Sequence, residues 1–259
     1  MAGIDDGYSI MTAADSTNQP WKIHGTDSQI VEIALAPGEA AMCEPGAMCY
    51  TSNSIKVKMS ASSMFGSAMS GESMFKPKYT NGGDEPGFVA FTPNYPANII
   101  ALDLTTYPEG FYVKQGMYFA QTGGGNSVRI QAGLNPGGGM GAYCCTGFSL
   151  IMQKIEAGPE AGFAFLAASG TILEKELKAG EVIVVSTGCV VGFSSKVTLS
   201  IRSNGGCCTC CFSGEGLFST TLEGPGKVIL QSMPLDKIRA LFPQAKTMGG
   251  TDTSKAGDA

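Results

Sequence analysis

Apolar and polar residues alternate with a period of two in three short stretches, SIKVKMS (54–60), SVRIQAG (127–133) and KVTLSIR (196–202). That period places one face of a strand in a core and the other in water. A compact apolar run follows each stretch, FVAF (88–91), FAFL (163–166) and KVILQ (227–231), and predicts a further buried strand. Helical spacing shows only at PLDKIRALF (234–242), where Leu235, Ile238 and Leu241 share a face, so one short helix is expected there.

The chain repeats itself. APGEAAMCEPGAMCY (36–50), YPEGFYVKQGMYFA (107–120) and AGEVIVVSTGCVVGF (179–193) each read turn, strand, turn glycine, strand, and Gly46, Gly116 and Gly188 recur at intervals of 70 and 72 residues. A second landmark begins at Ser70, Thr146 and Ser213 (SGESMFKPKYTNGG, TGFSLIMQKIEAGP, SGEGLFSTTLEGPG), with Gly71, Gly147 and Gly214 lying 25, 31 and 26 residues after the first. The longer middle interval places an insertion in the glycine run LNPGGGMGAY. This period is too long for a thin solenoid, whose units run about 20 to 50 residues.

The pattern predicts an all-β fold with about five strands per copy: three compact β-sandwich units around a pseudo-threefold axis. Residues 29–232 form one three-repeat domain, with repeats at about 29–97, 98–170 and 171–232. Residues 1–28 are an N-terminal segment with a frayed start, and 233–259 carry the short helix and a polar tail. Pro37-Gly38, Pro45-Gly46, Pro108-Glu109-Gly110 and Pro225-Gly226 are turn signals, because proline presets φ and glycine accepts positive φ.

Composition agrees with many short strands: 43% of the 259 residues are hydrophobic, 15% are charged, and 36 glycines and 13 prolines interrupt the chain. A formal charge of −5 provides no basic field to steer nucleic acid in. The start MAGIDDGYSIMTAAD has neither a basic n-region nor an Arg-rich transit pattern, and no apolar run reaches the roughly 18 residues of a spanning helix. A cytoplasmic protein is expected, and the nine cysteines read as reduced thiols.

VEIALAPGEAAMCEPGAMCY (31–50), GESMFKPKYTNGG (71–83), NIIALDL (98–104), FYVKQGMYFAQT (111–122), ILEKELKAGEVIVVSTGCVVGF (172–193) and GEGLFSTTLEGPGKVILQS (214–232) carry a resemblance. Over residues 29–232 the chain resembles the mitochondrial-biogenesis family named for altered inheritance of mitochondria, whose domain is similar to the tryptophan RNA-binding attenuator protein. The resemblance implies three attenuator-like β repeats and a poorly defined biochemical activity, since family members are not known as enzymes and the mitochondrial branch is linked to inner-membrane organisation; a non-enzymatic scaffold or assembly protein is expected. The resemblance carries over no catalytic residues, and the absence of a transit pattern departs from the mitochondrial branch.

Nucleophilic catalysis with a histidine base has one candidate, His24, and Trp21 beside it reads as a residue that tucks the N-terminal segment onto the barrel. Glu72 and Glu215 occupy equivalent positions, with Phe148 between them in the middle copy, and read as structural acceptors at glycine turns. Gly123–Gly125 and Gly137–Gly139 lack the Lys and Ser/Thr of a phosphate loop. Lys56, Lys58, Arg129, Lys196 and Arg202 are the basic residues an RNA-binding reading would use, but no aromatic repeats beside them.

The densest chemistry is sulfur. Cys207, Cys208, Cys210 and Cys211 precede Gly214, Cys144 and Cys145 precede Gly147, and Met69 precedes Gly71, so every copy puts soft apolar side chains on the same loop. With Met64, Phe65, Met140, Tyr143 and Phe212 these loops form a candidate contact surface for a protein partner or a membrane, allowing peripheral membrane association. No cofactor is expected on this reading. The alternative is a thiol-based metal or redox site: Cys207/Cys210 and Cys208/Cys211 each satisfy C-x-x-C, and Cys144 and Cys145 could complete a zinc set. Adjacent exposed cysteines also suit S-acylation. Cys43, Cys49 and Cys189 fall in the strand landmarks and read as core packing. The oligomeric state stays open, since edge strands can pair with other chains.

Overall fold

The computed structural model describes residues 7–11, 18–61, 75–124, 128–133, 152–160, 162–203 and 218–241. Those residues form an all-β molecule with antiparallel sheets and one short helix, α1 (Leu235–Ala240), at the expected place. Two strands lead in, β1 (Tyr8–Ile10) and β2 (Trp21–His24). A first set of six follows: β3 (Ile30–Leu35), β4 (Ala40–Cys43), β5 (Met48–Thr51), β6 (Ile55–Ala61), β7 (Phe75–Asn81) and β8 (Gly87–Phe91). The second is β9 (Asn98–Asp103), β10 (Phe111–Lys114), β11 (Tyr118–Thr122), β12 (Val128–Gly133), β13 (Met152–Ala157) and β14 (Phe163–Ala168). The third is β15 (Ile172–Leu177), β16 (Val182–Val185), β17 (Val190–Ser194), β18 (Thr198–Ser203), β19 (Phe218–Glu223) and β20 (Gly226–Gln231).

Pairing within each set follows one scheme. The sixth strand is flanked by the first and third, β3 and β5 on β8, β9 and β11 on β14, β15 and β17 on β20. The fifth is flanked by the second and fourth, β4 and β6 on β7, β10 and β12 on β13, β16 and β18 on β19. Even the irregularity recurs, because the third strand of each set carries a register shift, between Met48 and Tyr50, Tyr118 and Ala120, and Val190 and Gly192. A bulge at a fixed place bends the strand, so it can begin in one pairing and leave in another.

Two further pairings join the sets. β4 runs antiparallel to β11 (Ala41 opposite Thr122, Met42 opposite Gln121, Cys43 opposite Ala120), and β10 runs antiparallel to β17 (Phe111 opposite Ser194, Tyr112 opposite Phe193, Val113 opposite Gly192). The result is a seven-, a six-, a four- and a three-stranded sheet. The buried apolar residues fall into three clusters, built around Phe91 and Phe165, around Phe111 and Leu166, and around Phe193 and Leu222.

Local sequence explains the turns. Gly38, Gly46, Gly110 and Gly226 have φ of 83°, 87°, 88° and 139°, the positive region expected of these turn glycines, and Gly180 joins them at 75°. The strand count differs from the sequence expectation, six in each set instead of about five. The residues that open each set, IVEIAL, NIIALD and ILEKEL, pair with the last strand of the set, so their partners lie far along the chain and leave no local signal. The start is also more structured than expected: β1 pairs with β15, and Lys175 Nζ sits over the Tyr8 ring, 4.6 Å from its centroid. Burial corrects one further expectation, since the alternation in SIKVKMS does not bury either face fully, and Val57 and Met59 of β6 are 52% and 60% exposed.

Candidate functional site

Every residue of the sulfur-rich candidate surface lies outside the described residues, but the hairpins that carry these segments are described. Residues 62–74 join β6 to β7, 134–151 join β12 to β13, and 204–217 join β18 to β19. The last paired residues before each connection are Ala61 with Phe75, Gly133 with Met152, and Ser203 with Phe218. Met64, Phe65 and Met69 therefore belong to the first connection, Met140, Tyr143, Cys144 and Cys145 to the second, and Cys207, Cys208, Cys210, Cys211 and Phe212 to the third. Glu72, Phe148 and Glu215 fall in the same connections. The exposed Val57 and Met59 lie on the strand that leads into the first of them.

The remaining candidates are scattered. His24 is exposed on β2, opposite Ile30, and has no catalytic partner in the hydrogen bonds of the described residues. Trp21 is buried, with its ring edge-on to Phe163 at 5.3 Å and Phe165 at 5.6 Å, so it pins the N-terminal segment to the second set of strands as expected. Lys56 and Lys58 are exposed on β6, and Lys196 reaches Glu109 at 3.8 Å on the surface. Arg129 and Arg202 occupy positions on β12 and β18.

Only one of the three landmark cysteines packs in a core. Cys43 is fully buried, and burial, reinforced by the neighbouring Glu44 carboxylate, pushes its thiol up to about 12. Cys49 is exposed on β5 and Cys189 is half-buried in a single 3-10 turn, Thr187–Cys189. No group of three or more Cys, His, Asp or Glu side chains able to hold a metal occurs among the described residues.

Sequence reasoning missed a hollow of about 500 Å³ where the β4–β5 turn, the β8–β9 connection, the β10–β11 turn and α1 meet. Glu44, Tyr95, Lys114, Tyr118, Gln153 and Asp236 contribute to its walls. Behind it, Lys76 Nζ sits 2.8 Å from Glu44 Oε1 and 4.5 Å from the centre of the Tyr118 ring, and both charged side chains are mostly buried. Tyr118 in turn donates to Gln121 Oε1 at 2.6 Å, and Tyr95 donates to the Ala167 carbonyl at 3.0 Å. Burial pushes Tyr95 up to about 12, and it lowers the Lys114 ammonium below its ordinary value against the opposing pull of Asp236 and Cys189. These groups largely satisfy one another, which is how buried polar networks hold a unique geometry. No spacing in the sequence signals them, because Lys76 meets Glu44 only through the β4–β7 pairing.

Comparison with known proteins follows the fold. A crystal structure of a Streptococcus pyogenes protein is similar to this chain with a TM-score of 0.64 and 23% identity, over 85% of this chain and 96% of that one. An uncharacterised protein of Streptococcus pyogenes serotype M6 is 25% identical over 221 residues, which is 80% of this chain and 83% of the relative. No helix among the described residues is long and apolar enough to cross a membrane. The family model described as mitochondrial biogenesis AIM24 matches residues 21–233, most of the chain. The chain belongs to the mitochondrial biogenesis AIM24 family.

Proposed function

We propose that this protein is a non-enzymatic scaffold or assembly factor made of three attenuator-protein-like repeats in succession, with the sulfur-rich hairpin connections as its contact surface. The observation that supports the reading is the recurrence, in all three strand sets, of one pairing scheme with one register shift, the candidate segments being the stretches of sequence between the fourth and fifth strands of each set. On this reading, connections whose sequences are rich in methionine, cysteine and aromatic residues would suit an adaptable apolar contact. Val57 and Met59 add exposed apolar side chains on the strand that enters the first connection.

Buried polar side chains support a structural role as well. Gln29 Oε1 accepts from the Ile99 amide at 2.6 Å, and Gln231 Oε1 accepts from the Ser169 amide at 3.0 Å, so each ties one repeat to another. The test is a variant carrying Cys207→Ser, Cys208→Ser, Cys210→Ser and Cys211→Ser, followed by thermal unfolding with and without a zinc chelator. A contact loop predicts a Tm within about 2 °C of the parent and no chelator effect in either protein. A chelator-sensitive parent and a strongly destabilised variant would replace this reading with a thiolate metal site, because structural zinc contributes folding energy.

A further inference from the structure

The charged side chains around the hollow beside α1 pair off, with one exception. Glu44 is matched by Lys76 at 2.8 Å, and Asp236 lies 4.0 Å from Arg239 on the same helix. Lys114, the last residue of β10, forms no ion pair among the described residues, and Asp236 acts on it only from longer range. Its Nζ donates to the Gly188 carbonyl at 3.5 Å, the far limit of a hydrogen bond. An ammonium has three donors, so most of its capacity is left open in a wall of the hollow.

The common register of the strand sets shows why this lysine is unanswered. Glu44, Lys114 and Ser186 each stand two residues before a landmark glycine. On the neighbouring strand, the register of β4 with β7 continues to bring Lys76 opposite Glu44, and that of β16 with β19 brings Ser219 opposite Ser186. The matching position opposite Lys114 is Met152, which is fully buried. An acid therefore meets a base in the first set and a hydroxyl meets a hydroxyl in the third, whereas in the second a lysine meets a methionine. The repeated architecture does not ask for a cation at this place, and it supplies no anion to match one.

The rest of the hollow is built for a small guest. Its volume of about 500 Å³ falls in the range of small-molecule sites. Pro45, Pro93, Met117, Phe119 and Leu235 give it apolar walls. With Lys76 counted behind Glu44, its cations exceed its carboxylates by one, in a chain whose net charge is −5. One wall is α1, which has no buried residue and is the wall least firmly held. We infer that the hollow binds a small organic acid, its carboxylate on Lys114 Nζ and its apolar body against Met117, Phe119 and Leu235. Burial disfavours the bare ammonium, and a carboxylate within reach offsets that cost. A single excess positive charge suits a monoanion. A dianionic phosphate would add a negative charge beside Glu44 and Asp236.

Isothermal titration of the full chain at pH 7 tests this with benzoate, 4-phenylbutanoate and hexanoate as probes, their amides as neutral counterparts, and inorganic phosphate. At least one acid should bind once per chain with Kd below about 1 mM. Its amide and phosphate should bind at least about tenfold more weakly, because a charge-assisted hydrogen bond is lost or mismatched. Lys114→Met should weaken the acid by at least about tenfold, and Lys196→Met, on the surface away from the hollow's walls, should leave it unchanged. Failure of all three acids, an amide or phosphate that binds as tightly as its acid, or full affinity in Lys114→Met would each overturn the inference.

A second measurement needs no substitution. Acetic anhydride labelling read by mass spectrometry should modify Lys114 in the free chain, and the bound acid, at ten times its Kd, should slow that modification about tenfold while the Lys196 rate stays the same. A Lys114 rate that does not respond to the acid would place the acid elsewhere and overturn the inference. The site owes nothing to the sulfur-rich connections, so a thiolate metal site found in a chain that binds the acid would sink the scaffold reading alone.

Discussion

Cys43 and Cys49 lie six positions apart in one landmark and differ in everything that controls a thiol. Burial holds the Cys43 thiol neutral, raised from 9.0 to about 12 when folded, while Cys49 faces outward on β5. A thiol-reactive maleimide at pH 8 should therefore label Cys49 in the native protein and reach Cys43 only after unfolding. The sign of the linkage follows from the raised value: the unfolded chain loses this proton first. The stability contributed by the neutral thiol is complete below pH 9 and falls as pH rises toward 12. Urea midpoints measured from pH 8 to pH 10.5 on the parent and on Cys43→Ala should differ in slope in that direction.

The Lys76–Glu44 pair gives a sharper residue-scale outcome, because its members are mostly buried at 2.8 Å. Glu44→Gln alone leaves the lysine charge without its carboxylate and should cost about 3 kcal/mol in urea unfolding. Adding Lys76→Met to Glu44→Gln should recover most of that loss, since the pair's attraction and its desolvation nearly cancel. Neither residue was legible as a partner of the other. The sequence shows Lys76 and Lys78 two apart on a strand, but the carboxylate comes from Glu44, the residue after β4, and only the β4–β7 pairing brings it in.

At the scale of elements, the hydrophobic pattern was a reliable guide wherever a second layer covers the apolar face of a strand. KVTLSIR alternates and does bury Val197 and Leu199 while Thr198 and Ser200 face out. SIKVKMS has the same pattern, yet Val57 and Met59 stay exposed, although β6 and β18 both end their sheets, so what differs is whether a second layer covers the apolar face. Cys49 also fails the core expectation, on β5, a strand exposed at every position. Pattern reports what a strand could bury; whether a layer arrives to cover it depends on partners dozens of residues away.

The joints themselves show how tightly elements are matched. A Cβ added at Gly192 would lie 2.5 Å from the Tyr112 carbonyl oxygen and 2.7 Å from the Phe111 ring, across the β10–β17 pairing. Gly192→Ala should therefore destabilise the protein by about 1–3 kcal/mol, as overpacking does. Chemical denaturation would measure it, and hydrogen exchange should show the loss concentrated in β10 and β17.

For the whole molecule, the family and the all-β fold could be read from the repeating landmarks, and the family match over residues 21–233 agrees. The order of the strands in space could not, because both joints link positions more than 70 residues apart in the chain. The scaffold account depends on what the sulfur-rich connections do, and metal content decides that most directly. Protein purified without chelator or affinity metal should be measured by elemental mass spectrometry, with free thiols counted on the same sample after denaturation. The account predicts no stoichiometric metal and nine reactive thiols. About one zinc per chain with several thiols protected would contradict it and make the same connections a metal site.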